Sequence, residues 1–369
     1  MTAHEPVPLV ALSLTWRDAP TSVRDHVSAP LDNTTASELA RNGVRGLVEI
    51  HTCARAVWLL SAENGSWAGA LLQAHLAGRM REAGHAGMPE LRVGREALRW
   101  LLEVSLGLDS FVEGEADIGG QLLDGFQAGG LTGRLDPTLQ LTWRILAELV
   151  GEARRTGVVR PGRGMGQLAV ETLLREGVQP HQKVGVVGLG KIGGQVRASL
   201  GRAGFVPPTV YNRSARDGAE PLTALRESDC AAFVVCTAAP EPWFRPARPT
   251  VVVDLGRPAQ AHAPALGLDA LLVGHGLRLT DAQRERAHAL ASTSEAEWLA
   301  RVRLRSAHTV LGKVRALRAR YVRDELPGLM EPALAELAPP VRKRVLAAAE
   351  EAVKRYGRAV IETLKEEEG

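Results

Sequence analysis

The chain has 369 residues, of which 45% are hydrophobic and 24% charged, and its formal net charge is +3 at pH 7. This composition is typical of a globular protein, and the length predicts two or three domains. No apolar run approaches the roughly 18 residues of a membrane span, and the first residues lack a basic region followed by an apolar one, so we expect a cytoplasmic protein without membrane contact. The three cysteines include no Cys-x-x-Cys pair, which argues against a disulfide framework and a zinc site, and no metal is expected.

Strands and helices alternate through the first hundred residues. Residues 7–14 form a β-type run, and residues 47–60 read as a hairpin. An amphipathic helix is predicted over 66–83, a short strand over 91–93, and a further helix from about Arg95. This alternation predicts a compact α+β domain of the split βαβ kind.

The hairpin places Cys53 in the turn between two apolar segments. Val48 and Ile50 alternate with polar residues in the way of a half-buried strand, so Cys53 is predicted at an exposed strand end. His51 and Arg55 lie within two residues on either side, and neighbours of this kind favour the nucleophilic thiolate. The alternative is a cysteine that only packs as a small hydrophobic residue.

The stretch 106–121 is rich in glycine and short polar side chains, and it is unlike an ordinary helix or strand. Such a segment can approach a ligand closely and bind an amine, a carboxylate or a hydroxyl. The alternative, which these residues alone favour, is a polar loop with helix caps. Asp136 and Pro137 then predict the start of a helix that reaches about Thr156. Residues 160–164 are predicted to form a hinge.

A glycine-rich turn follows the predicted buried strand 183–187 and opens a helix that runs through Leu200. In this context the GxGxxG pattern predicts a dinucleotide-binding turn, against the alternative of a merely structural glycine turn. Its residues are Gly188, Leu189, Gly190, Lys191, Ile192 and Gly193.

The next predicted strand, 209–211, ends in Asn212, Arg213 and Ser214. An NAD-preferring site usually has an acidic residue here for the ribose 2′-hydroxyl, whereas Arg213 and two small polar side chains suit a 2′-phosphate. The cofactor is therefore predicted to be NADPH. Two further buried strands, 229–235 and 251–254, complete a Rossmann-type domain.

Beyond Gly274 the sequence is almost wholly helical in pattern. This tail has too few residues for a large core of its own, so we predict a homodimer formed through paired C-terminal helices. The alternative is a helical cap that folds onto its own chain. The fold class is thus a multidomain α/β protein, with domains predicted at 1–157, 158–274 and 275–369.

Taken in order, these segments resemble glutamyl-tRNA reductase over nearly the whole chain. Residues 52–55 are similar to the family's Thr-Cys-Asn-Arg box, and residues 107–121 are similar to its Gly-Leu-Asp-Ser…Gly-Glu-Pro-Gln box. The resemblance implies that the Cys53 thiolate attacks the glutamyl ester of glutamyl-tRNA, releases the tRNA and forms a thioester. NADPH then reduces the thioester to glutamate-1-semialdehyde, the first step of tetrapyrrole biosynthesis from glutamate. An aminomutase that receives the aldehyde is an implied partner.

The family's substrate pocket carries over to eight positions besides the nucleophile. Arg55 suits a carboxylate and Glu115 suits an α-ammonium group. The implied substrate-binding residues are Thr52, Ala54, Arg55, Ser110, Glu115, Ala116, Asp117 and Gln121.

Several departures from the family pattern fall in the first domain. Ala54 replaces an Asn, Val57 replaces a Glu, and Trp100 occupies the position of a His thought to assist proton transfer. Trp100 cannot titrate, which leaves His51 as the nearest candidate for acid–base assistance. Two alternatives therefore stay open: a regulatory module that binds NADPH or charged tRNA without reducing it, and an NADP-dependent dehydrogenase of a small acid.

Overall fold

The computed structural model describes residues 7–159, 164–214, 218–248, 250–262, 264–273 and 278–366. These residues belong to two compact units, Met1–Glu295 and Ala296–Gly369. No helix in the described ranges is both long enough and apolar enough to cross a bilayer. The predicted hinge falls largely on residues 160–163, and the predicted boundary after 274 falls on residues 274–277, so both lie outside the described residues.

The first unit begins with a four-stranded antiparallel sheet in the order β2-β3-β1-β4. In this order β3 lies between strands β1 and β2, which are joined by helices, and this is the predicted split βαβ topology. The elements are β1 Leu9–Thr15, α1 Thr21–Val27, α2 Asn33–Arg41, β2 Val44–His51, β3 Arg55–Ala62, α3 Gly65–Glu82 and β4 Glu90–Val93.

Helices cover both faces of this sheet, which explains why β1 is apolar without alternation. Helix α3 packs against β1 and β3, and three later helices pack against the sheet from the sequence beyond β4. Those helices are α4 Arg95–Ser105, α5 Asp117–Leu131 and α6 Pro137–Arg155. The Asp136 carboxylate accepts a hydrogen bond from the Leu139 N–H at 2.9 Å, so the predicted cap of α6 is confirmed.

Helix α5 corrects one prediction, because Asp117 and Gln121 lie in its first turns rather than in a polar loop. Two glycines of α5 allow this helix to pack closely on β2. A Cβ atom at Gly125 would lie 2.4 Å from the Ile50 side chain, and one at Gly129 would lie 3.2 Å from Val48. Gly119, within the segment 106–121, instead allows close packing between helices, because a Cβ atom there would lie 2.8 Å from the Ser105 carbonyl oxygen of α4 and 2.8 Å from the Val150 side chain of α6.

A five-stranded parallel sheet follows, in the order β7-β6-β5-β8-β9. This arrangement, with the first strand in the centre, is the predicted Rossmann-type topology. Its elements are α7 Met165–Arg175, β5 Val184–Val187, α8 Lys191–Arg202, β6 Thr209–Asn212, β7 Glu220–Pro221, β8 Ala232–Val235, β9 Val251–Asp254 and α9 Leu268–Val273.

The remainder of the chain is helical, as predicted. Helix α10 spans Asp281–Arg320 and continues through a π-helical turn, Tyr321–Glu325, into α11 Leu326–Leu334. Helix α12 spans Pro339–Glu366. The two predicted domain boundaries, after residues 157 and 274, remain predictions.

Candidate active site

Cys53 lies in the short turn between β2 and β3, and the Thr52 hydroxyl organises this turn. Thr52 Oγ1 accepts hydrogen bonds from the Arg55 N–H at 3.1 Å and the Ala54 N–H at 3.3 Å. The Thr52 N–H donates to the Arg55 carbonyl at 2.8 Å, which closes the hairpin. Cys53 is half-buried rather than fully exposed, and it packs with Ala54 against an apolar core that includes Met165.

A cleft that is partly open to solvent adjoins Cys53. Residues of both the antiparallel-sheet region and the parallel-sheet region of the first unit line this cleft. The predicted nucleophile therefore lies across the cleft from α8, the helix that follows the glycine-rich turn. Its lining residues are Thr52, Cys53, Ala54, Arg55, Glu115, Asp117, Ile118, Gln121, Met165, Lys191, Ile192 and Gln195.

Two guanidinium groups bind the backbone on either side of the thiol. Arg24, fully buried on α1, donates from Nη2 to the Cys53 carbonyl at 2.9 Å. Arg257, in the loop after β9, donates to the Thr52 carbonyl and forms an ion pair with Asp25. One cation therefore comes from each sheet region of the unit.

The Cys53 thiol is protonated at neutral pH in this arrangement. Burial, and after it the negative charge of Glu115, raises the pKa of Cys53 from 9.0 to about 11, while Arg257 and Arg24 act in the opposite direction. The cations that lower the pKa of Cys53 are thus two arginines that are distant in sequence. The prediction that His51 and Arg55 stabilise the thiolate is wrong.

Arg55 is turned away to a different partner. Its side chain is 1% exposed, and its guanidinium binds both the Asp109 carboxylate, at 3.2 Å, and the Asp109 carbonyl. Asp109 also pairs with Arg17 at 2.8 Å. In this state Arg55 lines the cleft but already has a carboxylate partner, so a substrate carboxylate would have to compete with Asp109 for it.

His51 and Trp100 do not line the cleft. The His51 ring packs edge-on against Trp58, with ring centroids 5.8 Å apart, and burial lowers the pKa of His51. Trp100 is 7% exposed on α4, and the Arg92 guanidinium lies 4.7 Å from its ring centroid. The structure therefore does not bring either predicted catalytic aid to the thiol.

Glu115 is one of two acidic residues that line the cleft, with Asp117. Burial raises its pKa from 4.5 to about 7, and Asp117 adds to this effect while Arg55, Ser110 and Lys191 oppose it. Ser110 is buried beside it, with 2% of its surface exposed. A carboxylate that titrates near neutrality and faces a cleft is suited to bind an ammonium group or to exchange a proton.

Asp117 connects the two sheet regions across the cleft. Its carboxylate accepts a hydrogen bond from Gln195 Nε2 at 2.6 Å and lies 3.4 Å from Lys191 Nζ, both on α8. Lys191, a residue of the predicted nucleotide-binding turn, thus forms an ion pair with Asp117, a residue predicted to bind the substrate. Ala116 precedes Asp117 outside the cleft, and its carbonyl accepts from Arg154 at 3.3 Å.

The glycine turn has the geometry that close approach of a pyrophosphate requires. Gly188 has φ +100°, and a Cβ at Gly193 would lie 1.9 Å from the Gly188 carbonyl oxygen, so both positions demand glycine. A Cβ at Gly190, the N-cap of α8, would meet nothing within 4 Å. This open helix N-terminus fits a dinucleotide phosphate.

The end of β6 fits the predicted cofactor. The Asn212 side chain donates to the Ser214 carbonyl at 3.0 Å and to the Ser214 hydroxyl at 3.2 Å, while Arg213 is exposed. No carboxylate occupies the position of the usual ribose ligand, and an exposed guanidinium is suited to a 2′-phosphate.

Sequence reasoning missed Arg24, Arg257, Ile118, Met165 and Gln195. Gln195 lies four residues after Lys191 and therefore shares its helix face, which was a usable signal. Arg24 and Arg257 reach the site through tertiary contacts alone, so no local pattern marks them.

Comparison with known proteins places this arrangement in a known group. Residues 12–149 match the family model that describes the N-terminal domain of glutamyl-tRNAGlu reductase. Glutamyl-tRNA reductase 1 of Pyrobaculum calidifontis is 31% identical over 259 residues, which are 64% of each chain. Glutamyl-tRNA reductase of Clavibacter michiganensis is 27% identical over 322 residues, covering 76% of this chain and 70% of the relative.

A solved structure, glutamyl-tRNA reductase from Methanopyrus kandleri, has the same fold. The TM-score is 0.51 at 21% sequence identity, and the match covers 98% of this chain and 99% of the other. Fold and cleft together define a multidomain α/β protein with a Rossmann-type domain. The chain is similar to glutamyl-tRNA reductases, through an N-terminal domain of that kind at residues 12–149 and through relatives that match 64% to 76% of its length. Its matches span 64% of the length of the relatives from P. calidifontis and P. neutrophilum, which is less than two thirds.

Proposed function

We propose that the chain is an NADPH-dependent glutamyl-tRNA reductase that forms a thioester on Cys53 and produces glutamate-1-semialdehyde for tetrapyrrole biosynthesis. The single observation that carries this proposal is the cleft, because Cys53, Glu115 and Lys191 line one space between the two sheet regions. A nucleophile, an acidic group and a residue of the glycine turn are the three components that the reaction needs in contact.

In the proposed reaction, the Cys53 thiolate attacks the ester carbonyl of glutamyl-tRNA. The carbon–oxygen bond to the tRNA 3′ end breaks, the leaving tRNA oxygen takes up the proton that the Cys53 thiol has lost, and the glutamyl group remains on sulfur. Glu115 binds the α-ammonium group, and Thr52 holds the turn that presents the thiol. NADPH, when bound, supplies the hydride that converts the thioester to the aldehyde.

The residues proposed to hold NADPH are those of the glycine turn and of the β6 terminus. The positive φ of Gly188, the open N-cap at Gly190 and the close contact at Gly193 support this assignment. Arg213 is proposed to select the 2′-phosphate.

The test is to incubate the protein with glutamyl-tRNA, with and without NADPH, and to measure the semialdehyde and a glutamyl adduct on Cys53 by mass spectrometry. We expect the adduct without NADPH and the aldehyde with it. Cys53→Ser should abolish both, whereas Cys230→Ser, a change at a buried cysteine of the parallel sheet, should preserve them. Aldehyde production by Cys53→Ser would contradict the thioester mechanism.

One observation favours a second candidate, an NADPH- or tRNA-binding module without reductase activity. The raised pKa of Cys53, about 11, leaves little thiolate at neutral pH. Binding of NADPH and glutamyl-tRNA without adduct or aldehyde would select this candidate. Reduction of a free small acid would instead select a dehydrogenase.

The C-terminal helices are proposed to form a homodimer. Large apolar side chains are exposed on them, among them Leu317 at 58%, Leu329 at 66% and Tyr356 at 75%. Burial of such side chains between copies would stabilise a dimer. We expect a dimer by analytical ultracentrifugation at micromolar concentration. A full-length chain that sediments as a monomer, like the variant that lacks residues 275–369, would contradict the proposal. A cytoplasmic location and transfer of the aldehyde to an aminomutase follow from the same proposal.

A further inference from the structure

Arg257 belongs to the parallel-sheet region, yet its guanidinium lies at the turn that carries Cys53. It donates to the Thr52 carbonyl and pairs with Asp25 on α1. Its side chain is 23% exposed, so the charge is only partly screened by water. Arg257 thus brings a positive charge from the parallel-sheet region to the turn that carries the Cys53 thiol.

The loop that carries Arg257 is held by a buried carboxylate. Asp254, 2% exposed, accepts hydrogen bonds from the N–H groups of Gly256 at 2.8 Å, Gln260 at 2.6 Å and Ala261 at 2.7 Å. Three such bonds determine the course of the loop, so Arg257 is presented from a well-defined backbone rather than from a free loop.

The charged groups around the thiol are of both signs. Glu115 disfavours the thiolate, while Arg24 and Arg257 favour it. Arg24 has its own partial counterion, because Asp269 lies 3.8 Å from it and also binds Thr21. Arg257 is paired with Asp25, which lies on the same helix as Arg24.

We propose that Arg257 is a positioning residue for Cys53, which holds the Thr52 carbonyl and supplies, together with Arg24, the positive charge that stabilises the thiolate. This inference rests on the proposed function of Cys53 as a nucleophile. It assigns activation of the thiol to a cation of the nucleotide-binding region in place of a neighbouring histidine.

The test measures the alkylation rate of Cys53 by iodoacetamide between pH 7 and 10, resolved from Cys230 and Cys236 by peptide mass spectrometry. This assay needs neither glutamyl-tRNA nor NADPH, so its outcome is independent of whether the protein is a reductase. The variants are Arg257→Gln and Arg257→Met, which are neutral, and Arg257→Lys, which keeps the charge. Arg245→Gln, at an exposed arginine of the same domain, is the matched control.

We expect the neutral variants to react about fivefold more slowly at each pH below the thiol pKa, because the thiolate fraction falls in proportion to the rise in that pKa. Arg257→Lys and Arg245→Gln should stay within about twofold of the wild type. Circular dichroism identifies any neutral variant that does not fold, and the other then decides. Wild-type rates in a folded neutral variant, or an equal loss in Arg257→Lys, would overturn the proposal.

Discussion

Replacement of Glu115 by Gln should change how stability depends on pH. Burial raises the pKa of Glu115 from 4.5 to about 7, so the folded state binds this proton more tightly than the unfolded state. The stability from this proton is fully present below pH 4.5 and is lost as pH rises through 7. The interval of 2.5 pH units (7 − 4.5), at about 1.36 kcal/mol per unit, sets an upper limit of about 3 kcal/mol.

The assay is urea unfolding of the wild type and Glu115→Gln at pH 5 and pH 8. Because Gln carries no charge at either pH, we expect the wild type to lose up to about 3 kcal/mol relative to the variant between the two conditions. Glu113→Gln is the control: although burial acts to raise it, hydrogen bonds from Leu279, Arg278 and Arg284 hold the pKa of Glu113 below 4.5. Its contribution to stability is therefore lost only at lower pH, and this variant should keep the wild-type change in stability between pH 5 and pH 8. Identical pH dependence in wild type and Glu115→Gln would refute the reasoning.

The same substitution should affect the thiol. With a pKa of about 11, only about 0.1% of Cys53 is thiolate at pH 8. Because the Glu115 charge contributes to that value, Glu115→Gln should accelerate alkylation of Cys53, in the direction opposite to neutral substitutions of Arg257.

Three further substitutions test the nucleotide-binding region. Gly193→Ala should destabilise the protein by about 3 kcal/mol in thermal unfolding, because its Cβ would lie 1.9 Å from the Gly188 carbonyl oxygen. Gly194→Ala, whose Cβ would meet nothing within 4 Å, should be neutral or stabilising. Equal effects of the two substitutions would contradict the packing argument. Asp254→Asn should destabilise by about 2 kcal/mol in urea unfolding, since a neutral amide with one oxygen replaces an acceptor of three N–H groups, and an unchanged midpoint would count against it. Arg213→Gln should weaken NADPH binding about tenfold in a fluorescence titration and leave NADH binding unchanged; equal losses for both nucleotides would exclude selection of the 2′-phosphate.

Local patterns were sufficient for most secondary structure. The cap at Asp136, the GxGxxG turn and the alternation of Val48 and Ile50 each depend on residues close in sequence, and the structure confirms all three. The segment 106–121 was misread at its end, because glycines in the first turns of α5 indicated a loop, whereas Gly119 allows α5 to pack closely against Ser105 of α4 and Val150 of α6.

The sequence by itself determined the nucleophile candidate, the parallel sheet with its glycine turn, and the set of polar residues that the family resemblance implies. Only the tertiary structure decided which charges surround Cys53. Arg55 is only two residues from Cys53 in sequence but pairs with Asp109. Arg24 and Arg257 are distant in sequence, yet they donate hydrogen bonds to the carbonyl groups of Cys53 and Thr52. The physical reason is that electrostatic interaction depends on separation in space and on burial, and neither quantity can be read from spacing along the chain.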